Sequence, residues 1–409
     1  MKTLRDYQID IAQDGFEKLK TLGIVYLALE VRLGKSCTSL EICRLSKAKK
    51  VLFLTKKKAI SSIEEDYRDF GFDKHFELTV TNNESLHKVT DNDFDIVVMD
   101  EAHRFGSFPK ASKMAKDFKA RFCNIPLILL SGTPSPETES QLFHQFWISK
   151  NTPFKEKTFY QWAKNYVNVY QVNFGYGMVN SYERANADKI KAVVDKYFIT
   201  FTQSESGFTS KVNENFLTVK MKDTTYSLID RLVQDKVIET KKGDIIADSA
   251  VKLQSKIHQL SSGTIKFECG NTFVFDHSKA DFIFEHFRNN KIAIFYKFVA
   301  ELDALKEVFG IYLTTDLDEF NNSGKNIALQ IVSGREGISL RNAEYLVYYN
   351  IDFSAVSYWQ SRDRMTTMER LENNIYWVFS DKGIEQKIYK AVQAKKNYTL
   401  RYFKKDYKI

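Results

Sequence analysis

Apolar residues in this 409-residue chain gather in short unbroken runs. A first set holds IVYLALEV (24–31), VLFLT (51–55), DIVVMD (95–100) and PLILLSG (126–132). A second holds KIAIFY (291–296), NIALQIVSG (326–334), YLVYYN (345–350) and IYWVFS (375–380). Runs of this length, separated by stretches of helical spacing, are the mark of strands covered on both faces. Each set therefore predicts a mostly parallel sheet flanked by helices, and two sets predict two tandem α/β domains.

Between the sets the pattern changes. FYQWAKNYVNVYQVNFGYGMVNSY (159–182) is rich in aromatic residues and asparagine without a clean period, and predicts an irregular insertion near 150–185. DTTYSLIDRLVQDKVIE (223–239) and SAVKLQSKIHQLSSG (249–263) have helical spacing. Small and polar residues cluster in TQSESGFTS (202–210), which sets the expected boundary: a first domain over 1–207 and a second over 208–409.

Composition narrows the class. Hydrophobic residues at 43% and charged residues at 27% fit globular domains. No apolar run approaches the roughly 18 residues of a membrane span. MKTLRDYQID lacks the apolar core of a signal peptide, so a cytoplasmic protein with no membrane partner is expected. Cys37, Cys43, Cys123 and Cys269 form no C-x-x-C pair and the seven histidines are scattered, which argues against a zinc site or a disulfide framework. A net charge of +8 favours a polyanionic partner such as nucleic acid.

Two stretches carry chemistry. In ALEVRLGKSCTSL (28–40), an apolar run leads through Gly34-Lys35-Ser36 into helical spacing, the strand–loop–helix order of a phosphate loop. Leu29 stands where the pattern has its first glycine, which the loop tolerates if that residue keeps a negative φ. A helix N-terminus offers free N–H groups to phosphate oxygens. Lys35 is expected to reach the β- and γ-phosphates, Ser36 to ligate Mg²⁺, and Arg32 to add a phosphate contact. About 65 residues on, DIVVMDEAHRFG ends an apolar strand in Asp100-Glu101-Ala102-His103. Carboxylates at the C-terminal edge of a parallel sheet lie where open α/β folds bind ligands. One can hold Mg²⁺ while its neighbour orients and deprotonates an attacking water.

With these residues in place, the chain resembles the superfamily 2 helicases and translocases, above all compact phage-type and Swi/Snf-type ATPases, over nearly its whole length. LRDYQ (4–8) resembles the adenine-sensing Q motif, with Gln8 the base reader. EVRLGKS resembles motif I, with Arg32 where a glycine is usual. VLFLTKKK (51–58) resembles motif Ia, TVTNNESL (79–86) the strand-binding motif that follows, DEAH motif II and SGTP (131–134) motif III. KIAIFYKFVAEL (291–302), QIVSGREGISL (330–340) and QSRDRMTTMER (360–370) resemble motifs IV, V and VI. KGIEQKIYKAVQAKK (382–396) resembles the helix that follows motif VI in the Swi/Snf group.

The resemblance implies two RecA-like domains with ATP and Mg²⁺ in the cleft between them. Lys35, Ser36, Asp100 and Glu101 would form one wall, and Gln360 and Arg364 would reach the γ-phosphate from the other. Gly34 and Gly337 would let the backbone approach the phosphates. Lys56, Lys57, Thr81 and Asn82, with Ser333 and Arg335 of the second domain, would contact nucleic acid. His103, Ser131 and Thr133 would couple hydrolysis to movement. DNA is favoured over RNA. The composition (rich in Phe, Tyr, Lys, Asn and Ile, with no proline after Pro153) suits an AT-rich genome. A phage replication or recombination helicase in the host cytoplasm, working with replication or recombination proteins, is the implied setting.

One position departs from the family: Thr367 replaces the usual second arginine of motif VI. Arg364 then suffices, or Arg370 takes that place, or intrinsic hydrolysis is slow. An RNA helicase and a degenerate, non-hydrolysing nucleic-acid clamp are the alternative readings. Of four tryptophans, Trp377 is expected in a core strand and Trp162 is the candidate for stacking on a base or separating strands.

Overall fold

The computed structural model describes residues 2–173, 177–207, 211–334, 340–365, 372–394, 402, 403 and 406. The chain divides into two compact units, Met1–Phe208 and Thr209–Ile409. Among the described residues no helix is long and apolar enough to cross a membrane.

The first unit is built on six parallel strands: β1 (Ile24–Leu29), β2 (Lys50–Thr55), β3 (Glu77–Asn82), β4 (Ile96–Met99), β5 (Leu127–Leu130) and β6 (Phe198–Phe201). Their order across the sheet is β3-β2-β4-β5-β1-β6. Successive side chains point to opposite faces. Ile24 and Tyr26 of β1 accordingly enter one core, and Val25, Leu27 and Leu29 the other. The helices α1 (Asp6–Leu22), α2 (Lys35–Leu45) and α3 (Ile60–Asp69) cover the second of these faces. The helices Lys113–Phe122, Leu142–Trp147, Phe159–Tyr166 and Ala187–Val194 cover the first. The edge strands β3 and β6 escaped the apolar-run pattern because each has one side open, and ELTVTN remains half-exposed along most of its length.

The aromatic stretch 159–182 is more regular than its sequence suggests. Phe159–Tyr166 is a helix whose N-terminus is capped by Thr158, its hydroxyl oxygen accepting from the Gln161 N–H at 3.3 Å. An antiparallel hairpin, Tyr170–Asn173 with Met178–Ser181, follows. Trp162 is fully buried against Phe143, Phe154, Phe159 and Tyr166. It is a core residue and cannot stack on a base.

The second unit repeats the plan with β7 (Lys211–Val219), β8 (Ile292–Tyr296), β9 (Leu313–Thr314), β10 (Asn326–Gln330), β11 (Tyr345–Tyr348) and β12 (Glu372–Ser380). All are parallel, in the order β9-β10-β8-β11-β12-β7. The run 326–334 does not stay extended: its strand ends at Gln330 and Ile331–Gly334 forms one helical turn. Trp377 lies in the core, stacked on Tyr348. Glu214 of β7 accepts hydrogen bonds from Tyr358, Trp377 and Tyr389 and pairs with Arg362 at 3.3 Å. Those bonds fix the helix Ala355–Arg362 against the sheet edge. A fully buried Lys279–Glu385 pair at 2.7 Å ties two further helices together.

Candidate nucleotide site on the first sheet

The C-terminal ends of β1, β2, β4 and β5 bring the first unit's candidate residues together. Leu29 is the last residue of β1, so the extended backbone there needs no glycine. The tight turns come later, at Arg32 (φ 64°) and Gly34 (φ 73°). A left-handed conformation costs a non-glycine residue about 1–2 kcal/mol, which makes Arg32 a strained position. Gly34 has no side chain to cap α2, and the first intrahelical bond runs from Thr38 N–H to Gly34 C=O at 3.0 Å. The N–H groups that open the helix therefore have no intrahelical partner. Lys35 folds back over the loop, its Nζ donating to the carbonyls of Leu29 and Glu30 at 3.0 Å each. Ser36 is half-buried one residue on.

Gln8 comes to this loop from α1. Its Nε2 donates to the Leu33 carbonyl at 3.2 Å, and its Oε1 accepts from the Arg5 N–H at 2.9 Å. A Cβ on Gly34 would stand 2.1 Å from Gln8 Nε2, so the glycine also makes room for this contact. Gln8, Arg5, Tyr7, Lys2, Arg32 and Gly34 line a cleft of about 410 Å³.

Asp100 and Glu101 follow β4 directly. Thr55, the last residue of β2, donates its hydroxyl to Asp100 Oδ2 at 2.8 Å, and the Glu101 N–H donates to Oδ1 at 2.9 Å. Enclosure of the Asp100 carboxylate, and then the adjacent charge of Glu101, raise its pKa to about 6. The Thr55 bond and the charges of Lys35 and Lys56 hold it from rising further. Glu101 is in the left-handed region (φ 51°), a second strained residue at the same edge. Its Oε2 lies 3.3 Å from His103 Nδ1 and its Oε1 3.9 Å from Lys56 Nζ. His103 Nδ1 is also 3.0 Å from Ser131 Oγ, which accepts from the Thr133 N–H at 3.1 Å. One chain of polar contacts thus joins Lys56, Glu101, His103, Ser131 and Thr133 across three strand ends. Gly132 brings the β5 end close to Lys35, since a Cβ there would be 3.7 Å from the ammonium.

Other candidates are placed less tightly. Lys57 is exposed on the turn Lys57–Ala59. Thr81 and Asn82 end β3, and Asn82 Oδ1 caps the following turn by accepting from the Ser85 N–H at 2.7 Å. In the second unit Gln360 is buried, and its carbonyl accepts from Arg364 Nε at 3.1 Å. Ser333 lies in the turn Ile331–Gly334, its side chain outside the described residues, as are Arg335, Gly337, Thr367 and Arg370. Among the described residues no group of three or more histidine, cysteine or carboxylate side chains could hold a metal ion. A magnesium ion would rest on few protein ligands, as it commonly does beside phosphates.

Two contributors were missed. Thr55 was visible only as a hydroxyl residue closing an apolar run. Gln203, beyond β6, holds the loop from the far side: its N–H donates to Glu30 Oε2 at 2.7 Å and its Nε2 to the Val31 carbonyl at 3.0 Å. Nothing in the local sequence marks Gln203.

No protein-family model matches the sequence. No curated protein matches it either. Solved structures do. The helicase domain of Hef from Pyrococcus furiosus aligns over 95% of this chain and 98% of its own, with a TM-score of 0.52 and 15% identity. The SWI2/SNF2 ATPase core of Sulfolobus solfataricus, solved in complex with dsDNA, aligns over 96% and 91%, with a TM-score of 0.44 and 15% identity. At such identity the shared property is the fold. Two parallel six-stranded sheets, each flanked by helices, make this chain a pair of tandem RecA-like domains.

Proposed function

We propose that the protein is an ATP- and Mg²⁺-dependent motor on DNA, a helicase or translocase that couples hydrolysis to movement along the strand. The observation that carries this reading is the meeting of Lys35, Asp100 and Glu101 at one sheet edge beside the open N-terminus of α2. Lys35, Ser36 and the first N–H groups of α2 would hold the β- and γ-phosphates, and Ser36 with Asp100 would hold Mg²⁺. Once bound, the nucleotide and its ion supply the phosphoanhydride bond to be cleaved and the charge that polarises it.

The protein's own groups divide the remaining work. The enclosure that raises the Asp100 pKa leaves its carboxylate in want of positive charge, which suits it to a divalent ion. Glu101 is the base: it takes the proton of the attacking water while Lys56 and His103 hold its two oxygens. Through His103 and Ser131 any shift of Glu101 is passed to the β5 end, the coupling role of His103, Ser131 and Thr133. Gln8 and Arg32 border the cleft where a base and ribose would lie. Gln360, Arg364 and Gly337 of the second domain complete the phosphate contacts. Lys56, Lys57, Thr81, Asn82, Ser333 and Arg335 contact the nucleic-acid backbone, and the AT-rich composition supports a phage replication or recombination setting.

Phosphate release from ATP, measured with and without single-stranded DNA, duplex DNA or RNA, tests this. DNA-stimulated turnover that falls at least about 100-fold in Lys35→Ala and Arg364→Ala is expected. Stimulation by RNA alone selects the RNA helicase, and tight DNA binding without turnover selects the clamp.

A further inference from the structure

The helix Lys113–Phe122 runs back from the DEAH segment toward the start of β5, and none of the motifs uses it. Its inner residues Ala115, Phe118 and Phe122 are buried in the core. Outward it presents Lys113 and Lys116, both exposed and one helical turn apart. Lys119 continues the row, its Nζ 3.7 Å from the ring centre of Trp147. Trp147 Nε1 in turn donates to the Lys157 carbonyl at 3.1 Å, which places the exposed Lys157 beside the same ring. His144 Nδ1 lies 2.6 Å from the Ser107 carbonyl, and the Ser107 hydroxyl donates to the carbonyl of the exposed Lys110 at 3.1 Å.

The charge of this face is felt inside the protein. Burial, and then the positive charges of Lys119 and Lys116, bring the His144 pKa down to about 4 against a bond to Ser107 that favours its charged form. The helix itself carries one acidic residue, the exposed Asp117, and Glu156, next to Lys157 in sequence, has its Oε1 taken by Asn165 Nδ2 at 2.7 Å. Among the described residues none of these lysines is ion-paired to a carboxylate, whereas Lys2, Lys50, Lys252 and Lys325 each are.

We propose that this lysine face is a second DNA-binding surface, one that holds the phosphodiester backbone of duplex DNA outside the motif residues. The inference rests on the motor reading above. Six residues of helix separate Lys113 from Lys119, about 9 Å at 1.5 Å per residue. That is the axial advance of roughly three phosphates along one strand of the duplex. Lysines are point charges with no fixed fork, so contacts of this kind carry affinity and no sequence preference. The row lies on the first helix after the segment that carries Glu101 and His103, so a duplex leaving that segment would continue onto it. The indole of Trp147 holds the Lys119 ammonium in place, leaving the exposed Lys113 and Lys116 as the phosphate donors.

Fluorescence anisotropy of a labelled short duplex DNA, titrated with the full chain over a series of salt concentrations, tests this. In Lys113→Gln/Lys116→Gln the affinity should fall, and the slope of log K against log salt should shrink by about 2. Lys18→Gln/Lys20→Gln, on α1, should match the wild type, and ATP hydrolysis without DNA should be the same in all three proteins. Should the Lys113/Lys116 variant keep both the affinity and the slope of a DNA-binding wild type, the second surface is overturned and the motor reading stands. Should the wild type show no salt-dependent binding, both fall together.

Discussion

Asp100 shows how one residue's surroundings set its chemistry. Its carboxylate takes one hydrogen bond from Thr55 and one from the next backbone N–H, yet its pKa stands near 6 because enclosure and Glu101 outweigh them. The folded state therefore binds this proton more tightly than the unfolded chain, whose carboxylate titrates near 3.8. The stabilisation is full below that value and is lost as pH rises toward about 6. Urea unfolding of Asp100→Asn should show the variant gaining on the wild type across that window, and parallel curves would refute the assigned environment. Activity carries the opposite sign: kcat/KM for ATP should drop on acidification through about pH 6, as the carboxylate proposed to hold the cation is neutralised. At this scale Lys35, Ser36, Asp100 and Glu101 were legible because each sits at a fixed offset from an apolar run. Gln203 was not, since it reaches the loop from beyond β6, more than 170 residues away in sequence.

At the scale of elements, legibility followed burial. Strands covered on both faces announced themselves as apolar runs, and the half-open edges β3 and β6 did not. Phe159–Tyr166 was hidden for another reason. Its buried positions Phe159, Trp162 and Ala163 have helical spacing, but the helix is only eight residues long and a hairpin with period two follows at once. The ring of Trp162 lies within 5.5 Å, centre to centre, of Phe143, Phe154, Phe159 and Tyr166. Trp162→Ala should cost about 3–5 kcal/mol of stability, read as a lower midpoint in chemical denaturation. If Trp162→Ala instead left stability intact and weakened DNA binding, the core assignment would be wrong.

Over the whole molecule, the two apolar-run sets became two parallel sheets, each with its own core. Within the first unit, the order β3-β2-β4-β5-β1-β6 puts the C-terminal ends of β2, β4, β5 and β1, which carry the candidate residues, side by side. Chain topology, which no local pattern encodes, is what converts spaced motifs into a site. The proposed motor needs both units: one carries the lysine and the carboxylates, the other Gln360 and Arg364. Movement is the claim that ATP hydrolysis alone does not test. ATP-dependent displacement of streptavidin from biotin-ended DNA, offered single-stranded and duplex, measures it directly. The motor reading predicts displacement from at least one of these substrates that requires ATP and Mg²⁺ and disappears in Lys35→Ala. Hydrolysis stimulated by DNA without displacement from either would contradict it.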